Sequence, residues 1–319
     1  MKITMLDYKT LGDDVDLSPL KNLNYDFKIY DLTSKEQVIE RSQSSEVIII
    51  NKILITEDIL KQCKNLKLIC LTATGTNNVD LAAAKKYGVA VCNVAGYSTD
   101  SVTQHTFALL FYVLEHLKYY DEYVINGGYT GSSTFTHLSK PFWELNNKTF
   151  GIIGLGQIGK KVAAVAKAFG CNIIYHSTSG KNSNNEYKHV SLEELLKTSD
   201  IVSIHAPLNK NTENLMDYEK LSLMKKSAII LNTGRGGIIN EADLCKIIDE
   251  DKIFGAGIDV ISKEPIDPKS PYLTVKNRDK LIITPHIAWA TIEARNRVIS
   301  EVAENIRAFK NGEYRNRVD

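Results

Sequence analysis

The sequence predicts an α/β protein made of two doubly wound parallel-sheet domains, one of them discontinuous. Short apolar runs alternate with helical stretches in two successive series, the pattern of βαβ units. The length of 319 residues suits about two domains. One amphipathic helix is left over at the end of the chain once the second series is complete.

In the first series, residues 2–6, 47–50, 66–71 and 89–91 read as strands and residues 58–63 and 81–87 as helices, with Gly88 where a helix C-terminus favours glycine. Residues 100–123 then set Val102, Thr106, Leu109, Leu110, Val113, Leu117 and Tyr120 at helical spacing, which predicts one long helix. The Gly-, Ser- and Thr-rich residues 129–143 read as a loop or arm. Residues 149–153, 172–175, 201–205, 228–232, 254–260 and 281–284 give six further strands, enough for a complete dinucleotide-binding sheet. The last helix, residues 293–310, carries Val298, Val302, Ile306 and Phe309 on one face, with Gly312 just beyond. It is expected to return to the first domain, dividing the chain into residues 1–99 with 288–319 and residues 100–287. Any hinge then lies near residues 97–100 and 287–292.

Apolar residues make up 43% of the chain and charged residues 24%, the usage of a soluble globular protein and not of a disordered or membrane chain. Lys plus Arg number 39 against 38 Asp plus Glu, which leaves no cationic surplus for a phosphate backbone, so nucleic acid is not an expected partner. Cys63, Cys70, Cys92, Cys171 and Cys245 are scattered, form no Cys-x-x-Cys pair and sit mostly in apolar stretches. They read as reduced core residues of a cytosolic protein. The N-terminus lacks the apolar core of a signal peptide, and no uncharged apolar run reaches the roughly 18 residues of a membrane helix. A cytoplasmic protein without membrane attachment is expected. No His, Cys or carboxylate cluster has metal-ligand spacing.

The strongest local signal is Phe150-Gly151-Ile152-Ile153-Gly154-Leu155-Gly156-Gln157-Ile158-Gly159, a strand running into GxGxxG and then a helix. Gly154 permits the tight turn, Gly156 the close approach of a pyrophosphate, and Gly159 tight packing of helix on strand. Gln157 and Ile158 open the helix whose N–H groups face the anion. This is the glycine loop of a Rossmann-like domain. Such sites normally place an acid about 20 residues on, at the end of the second strand, for the adenosine ribose. Here Tyr175-His176 is followed by Ser177-Thr178-Ser179-Gly180-Lys181, and no acid comes before Glu186. The cofactor is therefore NAD(H) or NADP(H), with NADP or dual use open.

Three later strands end in reactive side chains: Leu231-Asn232-Thr233-Gly234-Arg235-Gly236, Gly257-Ile258-Asp259 running on to Glu264-Pro265, and Ile283-Thr284-Pro285-His286. Ligands of open α/β sheets lie beyond the carboxyl ends of the strands, so an Arg, a Glu and a His converge there. The order of GxGxxG, Asn-Thr-Gly-Arg-Gly, Asp-Val-x-x-x-Glu-Pro and Thr-Pro-His-Ile closely resembles the D-isomer-specific 2-hydroxyacid dehydrogenases over essentially the whole chain. Residues 73–80, 93–97 and 286–291 look most like the glycerate dehydrogenase and hydroxypyruvate reductase branch. The resemblance implies that Arg235, Glu264 and His286 are catalytic, that residues 1–99 with 288–319 form the substrate domain, and that the protein is a homodimer formed largely through the nucleotide domain. By family position it also implies nucleotide contacts at Thr103, Ser177, Pro207, Thr212 and Thr233, and at Asp259 beside the cofactor amide.

The expected reaction passes a hydride between a nicotinamide dinucleotide and a small 2-hydroxy or 2-keto acid, D-glycerate and hydroxypyruvate foremost, with glyoxylate, pyruvate and branched keto acids as alternatives. Arg235 suits the grip on carboxylate and carbonyl, because its planar fork bonds both and stays charged. His286 suits proton transfer, since imidazole titrates near working pH. Glu264 would orient the imidazole and favour its protonated form. The backbone of Thr74, Gly75 and Thr76, at a strand end of the first domain, is expected to hold the substrate carboxylate as well, with domain closure excluding water. His105 reads as a helix residue near the cofactor, and His205 as a residue that packs or bonds locally. Members of the C-terminal-binding-protein type, corepressors that bind dinucleotide to regulate assembly with peptides, form a rival class. The end of the chain at Asp319, soon after its last helix, weighs against them.

Overall fold

Parallel pairing throughout sets the architecture of the computed structural model, which describes residues 1–180 and 184–319. The chain divides into two units, Met1–Ser98 with Trp289–Asp319, and Thr99–Ala288. Among the described residues no helix is long and apolar enough to cross a membrane.

The smaller unit holds β1 (Lys2–Met5), β2 (Asp26–Ile29), β3 (Val47–Ile50), β4 (Leu68–Leu71) and β5 (Ala90–Cys92), in the order β2-β1-β3-β4-β5. β3 and β4 are buried at every position and are apolar at every position, as strands covered on both faces must be. The edge strand β2 escapes the sequence pattern because its residues alternate between exposed and half-buried. The helix Ile292–Lys310, capped by Thr291 accepting from Ala294 N, lays Val298, Ile299, Val302 and Ile306 against Ile3, Met5, Val47 and Leu68. It thereby completes one face of this unit's core.

The larger unit holds β6 (Thr149–Ile153), β7 (Asn172–His176), β8 (Lys188–His189), β9 (Ile201–Ile204), β10 (Ile229–Asn232), β11 (Gly255–Ile258) and β12 (Leu281–Ile283), in the order β12-β11-β10-β9-β6-β7-β8. Among the described residues the sheet thus has seven strands where six were expected. β8 is two exposed residues and leaves no apolar run to read. The expected long helix at 100–123 is also corrected, into Thr99–Leu114 and Leu117–Ile125. The break falls at His116, whose φ of 53° cannot continue a right-handed helix and whose ring packs 5.1 Å from that of Phe254. The first segment buries Phe107, Leu109, Leu110 and Val113; the second buries no residue.

All strands of each sheet run the same way, so the carboxyl ends gather along one edge. In the smaller unit that edge is fastened by Asp7, which is 2% exposed and whose carboxylate accepts the N–H groups of Asn51 at 2.9 Å and Lys52 at 2.6 Å. Burial pushes its carboxyl pKa up, against the lowering effect of these bonds. Asp7→Ala removes the acceptor of the buried Asn51 N–H and the part-buried Lys52 N–H, at about 1–3 kcal/mol each, so urea denaturation should show a loss of about 2–6 kcal/mol.

Candidate active site

The glycine loop follows β6 directly. Gly154 has φ of 93°, and a Cβ there would stand 2.8 Å from Ala206 N; only glycine fits. A Cβ at Gly159 would collide with the Gly154 carbonyl, whereas one at Gly156 would meet nothing within 4 Å. The space in front of Gly156 is therefore open. Gly156 is the N-cap of the helix Gln157–Ala168 and offers no side-chain cap, so the N–H groups of Gln157, Ile158 and Gly159 lack helical partners. Open space, backbone donors and a helix N-terminus fit the pyrophosphate of a dinucleotide.

Around this loop, Ser177 is buried just past β7, where the turn closes through Gly180 N to Ser177 O. Thr103 donates to Thr99 O at 2.8 Å and Thr212 to Pro207 O at 2.7 Å, so both hydroxyls hold backbone. Thr233 lies 3.2 Å from the Thr106 hydroxyl and 3.4 Å from His205 Nδ1, while His205 Nε2 meets Ser203 Oγ at 2.9 Å. Lys181, which bears on the choice between NAD and NADP, lies outside the described residues.

Arg235, Glu264 and His286 follow the adjacent strands β10, β11 and β12. His286 Nδ1 lies 2.7 Å from Glu264 Oε2. His286 has φ of 56°, an uncommon conformation for a non-glycine residue, and the buried Asp259 holds it there. The His286 N–H donates to Asp259 O at 2.8 Å, Ile287 N and Ala288 N each donate to the Asp259 carboxylate at 2.9 Å, and Thr284 Oγ1 donates to it at 2.6 Å. His105 Nε2 meets Thr284 Oγ1 at 2.9 Å and lies 3.4 Å from Asp259 Oδ1. Burial would raise the pKa of Asp259, but the bonds from His105, Thr284, Ala288 and Ile287 outweigh it and hold the pKa below the ordinary value.

Arg235 is half-buried, and its Nη1 donates to Gly234 O at 2.8 Å. The Asn232 amide donates to Arg235 O at 2.8 Å while its carbonyl accepts from Gly234 N at 3.0 Å, which fixes the turn carrying the guanidinium. Asn232 and Thr284 were not among the residues singled out from sequence, although both lie inside the quoted motifs; a short polar side chain at a strand end was the available signal. A Cβ at Gly236 would overlap the backbone of Ile261 and Ser262, so the Arg235 loop rests directly on the segment leading to Glu264. In the smaller unit, Thr74, Gly75 and Thr76 follow β4, where Thr74 Oγ1 donates to Val94 O at 2.9 Å and Asn93 Nδ2 to Thr74 O at 2.7 Å.

Burial holds His205 neutral, with its pKa lowered to about 3. An unfolded chain takes up this proton below about pH 6.5, so the stability due to the neutral ring is complete above that pH and declines by about 1.4 kcal/mol per unit as pH falls toward 3. His205→Gln should flatten that part of the dependence of the urea midpoint on pH; an unchanged slope between about pH 6 and 4.5 would contradict the assignment.

Comparison with known proteins agrees with this geometry. The family model described as the D-isomer specific 2-hydroxyacid dehydrogenase, NAD binding domain, matches residues 107–288. The chain is 36% identical to the glycerate dehydrogenase of Methylorubrum extorquens, covering 100% of this chain and 99% of that protein. It is also 36% identical to the hydroxypyruvate reductase of Blautia hydrogenotrophica, covering 98% of each. Among solved structures, an acyclic imino acid reductase in complex with NADPH and D-Arg superposes with a TM-score of 0.89 at 31% identity, over 100% of both chains. The chain belongs to the D-isomer specific 2-hydroxyacid dehydrogenase family.

Proposed function

We propose that this oxidoreductase interconverts D-glycerate and hydroxypyruvate, and reduces glyoxylate, with Arg235, His286 and Glu264 as its catalytic residues. The observation that carries the reading is the 2.7 Å contact between His286 Nδ1 and Glu264 Oε2, beside a loop that presents Arg235. The glycerate dehydrogenase and hydroxypyruvate reductase relatives support the substrate.

Residues 99–288 bind the dinucleotide through Gly154, Gly156, Gln157, Ile158 and Gly159, with Thr103, Ser177, Pro207, Thr212 and Thr233 around them. When bound, the nicotinamide supplies or takes up the hydride at C2 of the acid. Arg235 holds the substrate carboxylate and polarises the carbonyl. His286, its Nδ1 bonded to Glu264, turns Nε2 to the substrate and moves the proton to or from the oxygen on C2. Glu264 fixes that tautomer. Asp259 holds the loop, and Thr74, Gly75 and Thr76 in the smaller unit bind substrate through their backbone. Both NAD(H) and NADP(H) serve, because the first carboxylate after β7, Glu186, is engaged with Lys167 at 2.9 Å and none stands at the strand end.

His286→Ala should lower kcat by about 10²- to 10⁴-fold on a panel of hydroxypyruvate, glyoxylate, pyruvate and a branched keto acid, each with NADH and with NADPH. Full turnover in the variant would remove His286 from the mechanism. A preference for NADH above about a hundredfold, or about 2.7 kcal/mol, would overturn dual cofactor use. Repeating the panel with an added amine distinguishes keto from imino acid reduction.

The protein is also proposed to be a cytoplasmic homodimer. Its five buried thiols suit a reducing compartment, and Ile125, Phe135 and Leu138 of the larger unit are 76%, 89% and 81% exposed, apolar surface that a second copy would cover. Light scattering after size exclusion should give twice the chain mass, and Phe135→Asp with Leu138→Asp should halve it; a monomeric wild type would overturn the assignment.

A further inference from the structure

We propose that Glu241 is a positioning residue, whose carboxylate holds the turn that carries Glu264 and so sets the partner of His286. The inference rests on the catalytic reading above and adds a residue that lies outside the quoted motifs. Beyond β11 the chain passes the buried Val260 and then reaches the surface, where Ser262, Lys263 and Glu264 are all exposed. Packing supports this turn incompletely. Gly236 lies against the backbone of Ile261 and Ser262, but a surface cavity of about 270 Å³, lined by Glu241, Ile261, Ser262, Lys263, Asp267 and Pro271 among others, adjoins it. An exposed segment with few buried contacts depends on its hydrogen bonds to stay in place.

Two successive amides of the turn donate to two carboxylates. The Ser262 N–H donates to Glu241 Oε1 at 2.6 Å, and the Ile261 N–H donates to Glu264 Oε1 at 3.3 Å. The other oxygen of Glu264, Oε2, is the one that meets His286 Nδ1. Glu241 thus grips the backbone one residue from the amide that steadies Glu264. Its own position is firm. Glu241 opens the helix Glu241–Asp249, whose N-cap Asn240 accepts the Asp243 N–H and whose Leu244, Ile247 and Ile248 have 0% exposure. Lys263, next to Ser262, pairs with Asp267 at 2.6 Å. An acid in the first turn of a helix complements the helix dipole wherever its carboxylate points; this one also reaches an amide 21 positions away in sequence. A short bond from an amide to a carboxylate is among the stronger hydrogen bonds. Without it the turn is free to shift, and a displacement of about 1 Å at reacting groups costs up to about a hundredfold in rate.

Steady-state kinetics with hydroxypyruvate and NADH test this in four variants. Glu241→Ala should lower kcat about 10- to 100-fold, while KM for the keto acid and the affinity for NADH each change less than about threefold. Glu241→Gln keeps an acceptor oxygen and gives up only the charge, so it should restore kcat to within about threefold of wild type. Asp243→Ala removes an acid from the same helix turn without touching residues 261–264, and should keep wild-type kcat. In a Glu264→Ala background, itself slow, Glu241→Ala should change kcat less than about twofold, because a residue acting through Glu264 then has nothing to position. Wild-type kcat in Glu241→Ala, a Gln variant as slow as the Ala variant, an equal loss in Asp243→Ala, or full additivity with Glu264→Ala would each overturn the proposal. Undiminished kcat in Glu264→Ala would instead overturn the catalytic reading beneath it.

Discussion

The carboxylate of Asp259 is the constraint on which the reactive end of the larger sheet depends. It is 1% exposed, and four hydrogen-bond donors surround it or its carbonyl within three residues of His286. A left-handed histidine costs energy that an isolated loop would relieve by relaxing. Here relaxation would leave a buried charge with unpaired oxygens, a larger penalty. The loop is thus held by the cost of undoing it, and His286 meets Glu264 because neither Thr284 nor Ala288 can move away. Ser101, donating to Ala288 O at 2.6 Å, ties the far end of the same loop to the helix Thr99–Leu114.

Much of this was legible in the chain because burial on both faces leaves an unmistakable mark. Val47–Ile50 and Leu68–Leu71 are uninterrupted apolar runs, and the glycine loop joins a strand to a helix in a register that few other folds require. The illegible parts are those where side chains do not decide the structure. β2 and β8 form through backbone pairing on sheet edges with little apolar burial, and the helix break at His116 is a backbone event packed against Phe254, some 140 positions away in sequence. At the candidate site, the motifs named Arg235, Glu264 and His286, yet the work done by Asp259 and Asn232 is hydrogen bonding to main chain, which spacing does not encode.

The histidines of the larger unit illustrate how one residue type is assigned different tasks by its surroundings. His205 is half-buried and kept neutral by desolvation, a hydrogen-bonding link between Ser203 and Thr233. His286 stands half-buried at the site with its Nδ1 against the Glu264 carboxylate. His105 bridges to Thr284 and Asp259 and belongs to the scaffold. Nothing in the identity of the side chain separates these roles; burial and the nearest partner do.

Gly236 carries a consequence for how this fold can change. Because the backbone of Ile261 and Ser262 occupies the space a side chain would need, the loops bearing Arg235 and Glu264 behave as one mechanical piece. An insertion or a bulkier residue in either loop displaces the other, and with it the partner of His286. Adaptation to larger or differently shaped acids is therefore channelled away from these two loops and toward surfaces that can be rebuilt without moving the charges.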